Sequence, residues 1–171
     1  MERINHKSAR IALAVSAIAL FAMAAPAQAA KTVSASASAV LVDALAITKS
    51  ADLDFGRLSS DTSGGTAVIS TAGARSVTGD VVEEGGSPAA AGFDVTGEAG
   101  LGYDITLPTS IVLNDGGSNN MTVNTFTDSN AGSGTLTGGT DSFTVGATLN
   151  VGASQATGTY TGSFDVSVAY Q

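Results

Sequence analysis

The sequence GTYTGSFDVSVAYQ, residues 158–171, decides the fold class of this chain. From Tyr160 onwards, with Gly162 as the single exception, its even positions are apolar and its odd positions are polar or small. The apolar positions are Tyr160, Phe164, Val166, Val168 and Tyr170. Period-two alternation of this length is typical of a β-strand that covers a core, because helical side chains repeat every 3.6 residues. The pattern predicts one strand over residues 158–171. Since chain ends normally fray, we also expect a specific contact that holds Tyr170.

The first 29 residues have the features of a secretory signal peptide. The leader is basic, an apolar run follows over residues 11–25, and Ala27-Gln28-Ala29 is a small-x-small cleavage site. The apolar run is shorter than the ~20 residues that a membrane span requires. We therefore expect an exported chain that begins at Ala30 and has no stable membrane insertion after cleavage.

Charge and residue types exclude several classes of function. From Ala30 onwards the chain has four basic and fourteen acidic residues, a formal net charge of −10. This charge argues against a nucleic-acid partner, because phosphates are also negative. The single histidine is His6, and cysteine is absent, so the exported part lacks the usual ligands of zinc, copper, haem and iron–sulfur sites. It also lacks the Ser-His and Cys-His nucleophile arrangements. We expect no cofactor, no metal and no enzymatic activity.

Short alternating segments separated by turn-forming residues continue along the exported part. Residues 93–96, 103–107 and 143–151 alternate cleanly, and clusters of Gly, Asn, Asp and Ser separate such segments. No amphipathic helical stretch is present after the leader. The pattern predicts an all-β fold, an antiparallel β-sandwich. Because a short connection follows residue 151, we expect the strand at 143–151 and the final strand to be neighbours.

Residues 30–42 form an arm ahead of the predicted sandwich domain at residues 43–171. Val33, Ala35, Ala37 and Ala39 alternate with serines, which indicates a weak strand or a flexible arm, because methyl-sized side chains bury little area. Extended at ~3.3 Å per residue, the arm would reach roughly 40 Å, the length of a whole sheet.

Two carboxylates are the strongest candidates for catalysis. Asp52 and Asp54 lie two positions apart, so a regular strand would place them on one face for acid–base chemistry or cation binding. The same positions fit the solvated face of a strand opposite Leu53 and Phe55. We expect the solvated face, because no partner that would shift the pKa of either carboxyl is identifiable.

Two loops and one pair of threonines are weaker candidates for ligand binding. Residues 114–117 and 128–130 have the oxygen-rich composition of calcium loops but not the ligand spacing of an EF-hand. Asn, Asp and Gly are also the residues of ordinary turns. Thr159 and Thr161 could form a flat surface for ice or sugar, although threonine is in any case a favoured strand residue. We expect turns and strand positions.

Three separated motifs resemble one bacterial secreted family. They are LAITK (45–49) with LDFG (53–56), VGATLNV (145–151), and GTYTG (158–162) with the segment that runs to Tyr170. Together they are similar to the family catalogued as domain of unknown function 4402, whose pattern covers essentially the whole exported chain. A looser likeness connects the chain to spore coat protein U-like proteins and to chaperone–usher pilins.

The likeness to pilins implies an incomplete immunoglobulin-like sandwich. In such pilins the last strand ends at a near-terminal tyrosine, and an alternating N-terminal arm completes the sheet of the next subunit. By this resemblance the donor face is Val33, Ala35, Ala37 and Ala39, and the acceptor or chaperone-recognition edge is Phe164, Val166, Val168 and Tyr170. The implied partners are further copies in a fibre, a periplasmic chaperone and an usher. The chain departs from pilins in its alanine-rich arm and its lack of a disulfide.

The sequence as a whole predicts a non-enzymatic, secreted structural or surface subunit. It would be pilin-like or coat-like, pass through the periplasm to the cell surface or the medium, and polymerise through donated strands. In the alternative, the arm folds back on its own sheet and the chain is a monomeric extracellular module that binds carbohydrate or another surface ligand through its loops. An enzyme that uses carboxylates is the third possibility.

Overall fold

The computed structural model describes residues 30–171, and the signal peptide predicted at residues 1–29 lies outside the described residues. The described part contains ten β-strands and no helix, and hence no helix that could cross a membrane. The strands are β1 (Ala46–Ala51), β2 (Leu58–Ile69), β3 (Arg75–Glu83), β4 (Ala91–Thr96), β5 (Gly102–Thr106), β6 (Ser110–Asn114), β7 (Asn120–Asp128), β8 (Ser133–Thr135), β9 (Thr140–Val151) and β10 (Ser167–Tyr170).

All of these strands pair antiparallel and form two sheets. The larger sheet has seven strands and is centred on β9. At Val145, β9 pairs with β4 on one edge and β7 on the other; at Thr148 it pairs with β2 and again with β7. Strands β2 and β4 therefore pair with two successive segments of the same edge of β9. Strands β1, β3 and β6 extend this sheet from β4, β2 and β7, and the smaller sheet has the order β10-β5-β8. The predicted all-β, antiparallel β-sandwich is confirmed.

The hydrophobic core has two parts that differ in what covers them. Around Phe93 and Phe143, side chains of the larger sheet pack against Tyr103 and Ile105 of the smaller one. The second part contains Ala67, Ile69, Val81, Val123, Ala147, Leu149 and Val151, and Phe55 is its only buried member outside the strands of the larger sheet. The smaller sheet thus covers only one half of the inner face of the larger sheet.

The prediction of one strand over residues 158–171 is wrong, because only β10 has strand geometry. Thr161 makes a single bridge to Asn114, and residues 162–166 have no strand partner within residues 30–171. The predicted alternation is still present in the burial: Phe164 and Val166 are half-buried, and the odd-numbered residues between them and on either side are exposed. Alternation of polar and apolar residues indicates on which side of the chain each side chain points. A segment can have this arrangement without pairing to a neighbouring strand.

The prediction that the last two strands are neighbours is also wrong. Strand β9 pairs with β2, β4 and β7, whereas β10 pairs with β5 in the other sheet. The reason is that strands from earlier in the chain already occupy both edges of β9. Residues 152–166 therefore connect one sheet to the other.

Candidate functional site

An open groove of about 1140 Å³ lies over the half of the larger sheet that the smaller sheet leaves uncovered. Its floor is apolar and is formed by Ile111, Leu113, Met121, Val123, Leu149 and Val151. One wall consists of residues 51–60, and the other consists of residues 155–166. Strands β6, β7 and β9 position the floor, because their alternating apolar residues point inward.

Arg75, at the start of β3, holds the first wall in place. Its side chain is only 5% exposed, and Nη1 donates to the carbonyl oxygens of Phe55 at 2.8 Å and Gly85 at 3.1 Å. Gly56 lies so close to this guanidinium that a Cβ on it would overlap Nη1, and its φ of 72° also favours glycine. The Asp54 carboxylate accepts the Gly56 N–H at 2.7 Å. The LDFG motif is therefore a turn that is fastened by Arg75.

The second wall is held by one backbone bridge and by side chains, without a continuous strand ladder. The backbone of Thr161 exchanges two hydrogen bonds with Asn114, at 2.9 and 3.0 Å. No backbone hydrogen bond joins residues 162–166 to another residue of the described part. The Phe164 ring anchors this segment, 5.1 Å from the ring centre of Phe126 and 6.3 Å from that of Phe93. The wall therefore has amide and carbonyl groups that are free to pair.

The predicted acceptor residues divide between this groove and the smaller sheet. Phe164 and Val166 line the groove, whereas Val168 and Tyr170 lie in β10 and pair with Ile105 and Tyr103 of β5. The floor residues were not predicted as part of a site. The alternation of apolar and polar residues at these positions is visible in the sequence. Whether another strand covers them depends on the tertiary structure, which the local sequence does not show.

The model of the family described as Domain of unknown function (DUF4402) matches residues 45–170. The chain belongs to this family. The matched range contains both walls and the floor of the groove, and it leaves out the arm. No match was found among the curated proteins or among the solved structures.

The arm lies ahead of the DUF4402 region and has no regular secondary structure. Val33, Ala35, Ala37 and Ala39 are all exposed, Val33 to 95%. Leu41 is 98% exposed and continues the same odd-numbered series. The predicted donor face ended at Ala39 and left out Leu41, the second large apolar member of the series.

The carboxylates considered as sites in the DUF4402 domain interact with groups of their own segment, and the threonines are exposed. Asp52 forms an exposed ion pair with Lys49, and Asp54 accepts the turn N–H of Gly56. Thr159 and Thr161 are exposed in the second wall, outside any strand, so the strand positions expected for these two residues are not formed.

The two oxygen-rich loops use their carboxylates to hold their own backbone. Asp115 accepts the Asn119 side-chain amide at 2.6 Å and the Gly117 N–H at 2.8 Å, and these hydrogen bonds lower the pKa of its carboxyl. Asp128 likewise accepts the N–H groups of Asn130 and Gly132. Within residues 30–171, no three His, Cys, Asp or Glu side chains are grouped as metal ligands.

Proposed function

We propose that this DUF4402 protein is a non-enzymatic, exported structural subunit that polymerises when the arm of one copy fills the groove of the next. The observation that supports this proposal is the groove itself, which combines an apolar floor with one wall of unpaired backbone. A sandwich with such an opening is prone to aggregate until a strand covers it.

The arm has the properties that such a groove requires. A strand placed beside residues 162–166 would form ladder hydrogen bonds with their free groups, while every second side chain would point to the floor. In the arm, every second residue from Val33 to Leu41 is apolar, and these side chains are exposed. At ~3.3 Å per residue, residues 30–42 would span roughly 40 Å, comparable with the twelve-residue strand β9 in the floor of the groove.

Donation of the arm from copy to copy is a head-to-tail contact that does not close on itself, so it builds a fibre. The likeness to chaperone–usher pilins and to spore coat protein U-like proteins supports a pilin-like or coat-like subunit at the cell surface. A chaperone and an usher in the periplasm would protect the open groove before assembly.

One observation favours the alternative of a self-complete monomer. The root of the arm at Asp43 is hydrogen-bonded to Tyr170, so the arm begins near β10 of its own chain. In that case the arm would cover its own groove, and the protein would be a monomeric module that binds carbohydrate or another surface ligand.

A pair of charged variants in the arm tests polymerisation. Ala35→Asp with Ala37→Asp places two charges on the apolar side, whereas Ser34→Asp with Ser36→Asp places the same charges on the other side. In the chain of residues 30–171, we expect fibres by negative-stain microscopy and light scattering from the parent and the serine variant, and none from the alanine variant. Equal assembly of the two variants, or a parent chain that stays monomeric, would contradict the proposal.

Engineered disulfides distinguish donation between copies from folding back, because the chain has no cysteine of its own. Ala37→Cys in one copy and Val166→Cys in another should form a disulfide-linked dimer when the two proteins are mixed and oxidised. If the double variant instead forms the disulfide only within one chain, the monomeric alternative is correct.

A further inference from the structure

The outer face of the larger sheet carries two straight rows of uncharged side chains across β3, β2, β9, β7 and β6. Strand register aligns the members of each row. The first row is Thr78, Thr66, Asn150, Thr122 and Val112, and the second row is Ser76, Val68, Thr148, Asn124 and Ser110.

These ten residues point away from the core. They are exposed or half-buried, whereas the residues next to them in the same strands, such as Ala67, Val123 and Leu149, are buried. The uncharged surface continues along β9 through Thr144, Ser142 and Thr140. Among the outward-facing residues paired with these three, only Asp94 of β4 is charged. An extended uncharged face is unexpected on a chain whose residues 30–171 have a net charge of −10.

The chemistry of this face is complementary to itself. Hydroxyl and amide groups both donate and accept hydrogen bonds, and the Oγ1 atoms of Thr66 and Thr78 already pair at 2.7 Å on adjacent strands. The Asn150 side chain donates to the Thr122 carbonyl at 3.1 Å in the same row. The rows contain no aromatic ring on which a sugar could stack, so a second protein face fits them better than a glycan does.

The distribution of charge also points to a second copy of this chain. Two copies that approach through an acidic surface repel each other, because like charges placed opposite one another are destabilising. Contact through the two rows places no charged side chain opposite another, and Asp94 of β4 is the charged residue paired with their continuation along β9. At ~3.3 Å per residue and ~4.8 Å between strands, the two rows cover roughly 10 by 20 Å, and together with that continuation the face measures roughly 40 by 20 Å. This area is close to the ~800 Å² that each partner buries in a stable interface.

We propose that the outer face of the larger sheet binds the same face of a second copy, in a lateral contact that uses neither the arm nor the groove. The contact is two-fold symmetric, because the same surface serves on both sides. It would pair free subunits, and it would join fibres side by side where fibres form.

Charges placed on the face test this contact. Ser76→Asp with Asn124→Asp adds two carboxylates to the second row, and Asn124→Asp keeps the shape and the oxygen that accepts from Thr125. The matched control is Ser133→Asp with Ser167→Asp, which adds the same charge to exposed positions of the smaller sheet. All variants are made in the Ala35→Asp, Ala37→Asp chain, so that insertion of the arm does not contribute.

Sedimentation equilibrium gives the readout. We expect reversible dimers of the background chain and of the control, and a dimer dissociation constant at least about tenfold higher for the face variant. Added salt should restore part of this loss by screening the new charges. A background chain that is monomeric, or equal dimerisation of the face variant and the control, would overturn the proposal, whether or not the arm assembles fibres.

Discussion

The hydroxyl group of Tyr170 donates a hydrogen bond to the carbonyl oxygen of Asp43 at 2.8 Å and so joins the end of the chain to the root of the arm. The same hydroxyl accepts the N–H of Glu98 at 2.7 Å, and the Glu98 carboxylate accepts the N–H of Asp43 at 3.1 Å. A Cβ on Gly97 would overlap this hydroxyl. One phenol therefore holds three segments that are distant in sequence, and this is the contact expected for a penultimate tyrosine.

Tyr170→Phe should destabilise the domain by about 1–3 kcal/mol, because it removes the partner of both the Asp43 carbonyl and the Glu98 amide. Urea unfolding gives this free energy. Tyr160→Phe is the control, since the Tyr160 hydroxyl bonds only to Ala156 and Gln155 in its own segment. The interpretation fails if the two variants lose the same stability.

Arg75→Met should cost about 2–4 kcal/mol of unfolding free energy, because it leaves the carbonyls of Phe55 and Gly85 without their charged donor. Hydrogen exchange should also speed up at the amides of Arg57 and Glu84, which close the same turn. The exposed Arg57→Met should change neither quantity appreciably. Unchanged exchange in Arg75→Met would show that the first wall does not depend on the guanidinium.

Ionisation of the Tyr103 hydroxyl should make the domain less stable in strong alkali. Burial, followed by the hydrogen bond and negative charge of Asp141 at 2.8 Å, raises the pKa of Tyr103 well above its usual value. The folded state therefore binds the hydroxyl proton of Tyr103 more tightly than the unfolded state does, because tyrosines in the unfolded state have a pKa of about 10. Stability from this group is complete below that pH and falls as the pH rises above it. Absorbance titration should show one late ionisation that Tyr103→Phe lacks.

The Asp115 carboxylate should keep its loop ordered at pH values below the usual pKa range of an aspartate. The Asn119 side chain, followed by the Gly117 amide, lowers the pKa of the Asp115 carboxyl. The folded state therefore favours the carboxylate, and its contribution is present above about pH 4 and is lost as the pH falls through the lowered value. Amide NMR shifts of Gly117 and Asn119 should report this transition. Asp115→Asn should abolish it, and a transition that persists in Asp115→Asn would belong to another group.

The strands of this domain were predictable where alternating polarity coincides with burial between sheets. Residues 143–151 were predicted as a strand, and β9 extends from Thr140 to Val151. The same signal failed at residues 162–166, because a half-buried segment can alternate without any partner strand. Which strands pair depends on which strand edges remain free. The local sequence pattern does not show that earlier strands already occupy both edges of β9.

The groove could be predicted only in part. Phe164 and Val166 were placed in an acceptor edge by resemblance, and both line the groove. The role of Arg75 had no signal in the sequence, because an arginine at the start of a strand usually faces solvent. The uncharged face also escaped notice, since its rows combine residues from five strands whose order only the structure provides.

The central position of β9 has a consequence for the timing of folding. Its partners β2, β4 and β7 are all complete by residue 128 and can pair with β3, β1 and β6, but only β9, which ends at residue 151, joins these pairs into one sheet. Contacts over such long sequence separations form slowly, because loop closure precedes their stabilisation. The complete larger sheet therefore forms only when nearly the whole chain is present, and any truncation before β9 leaves three strands without their common neighbour.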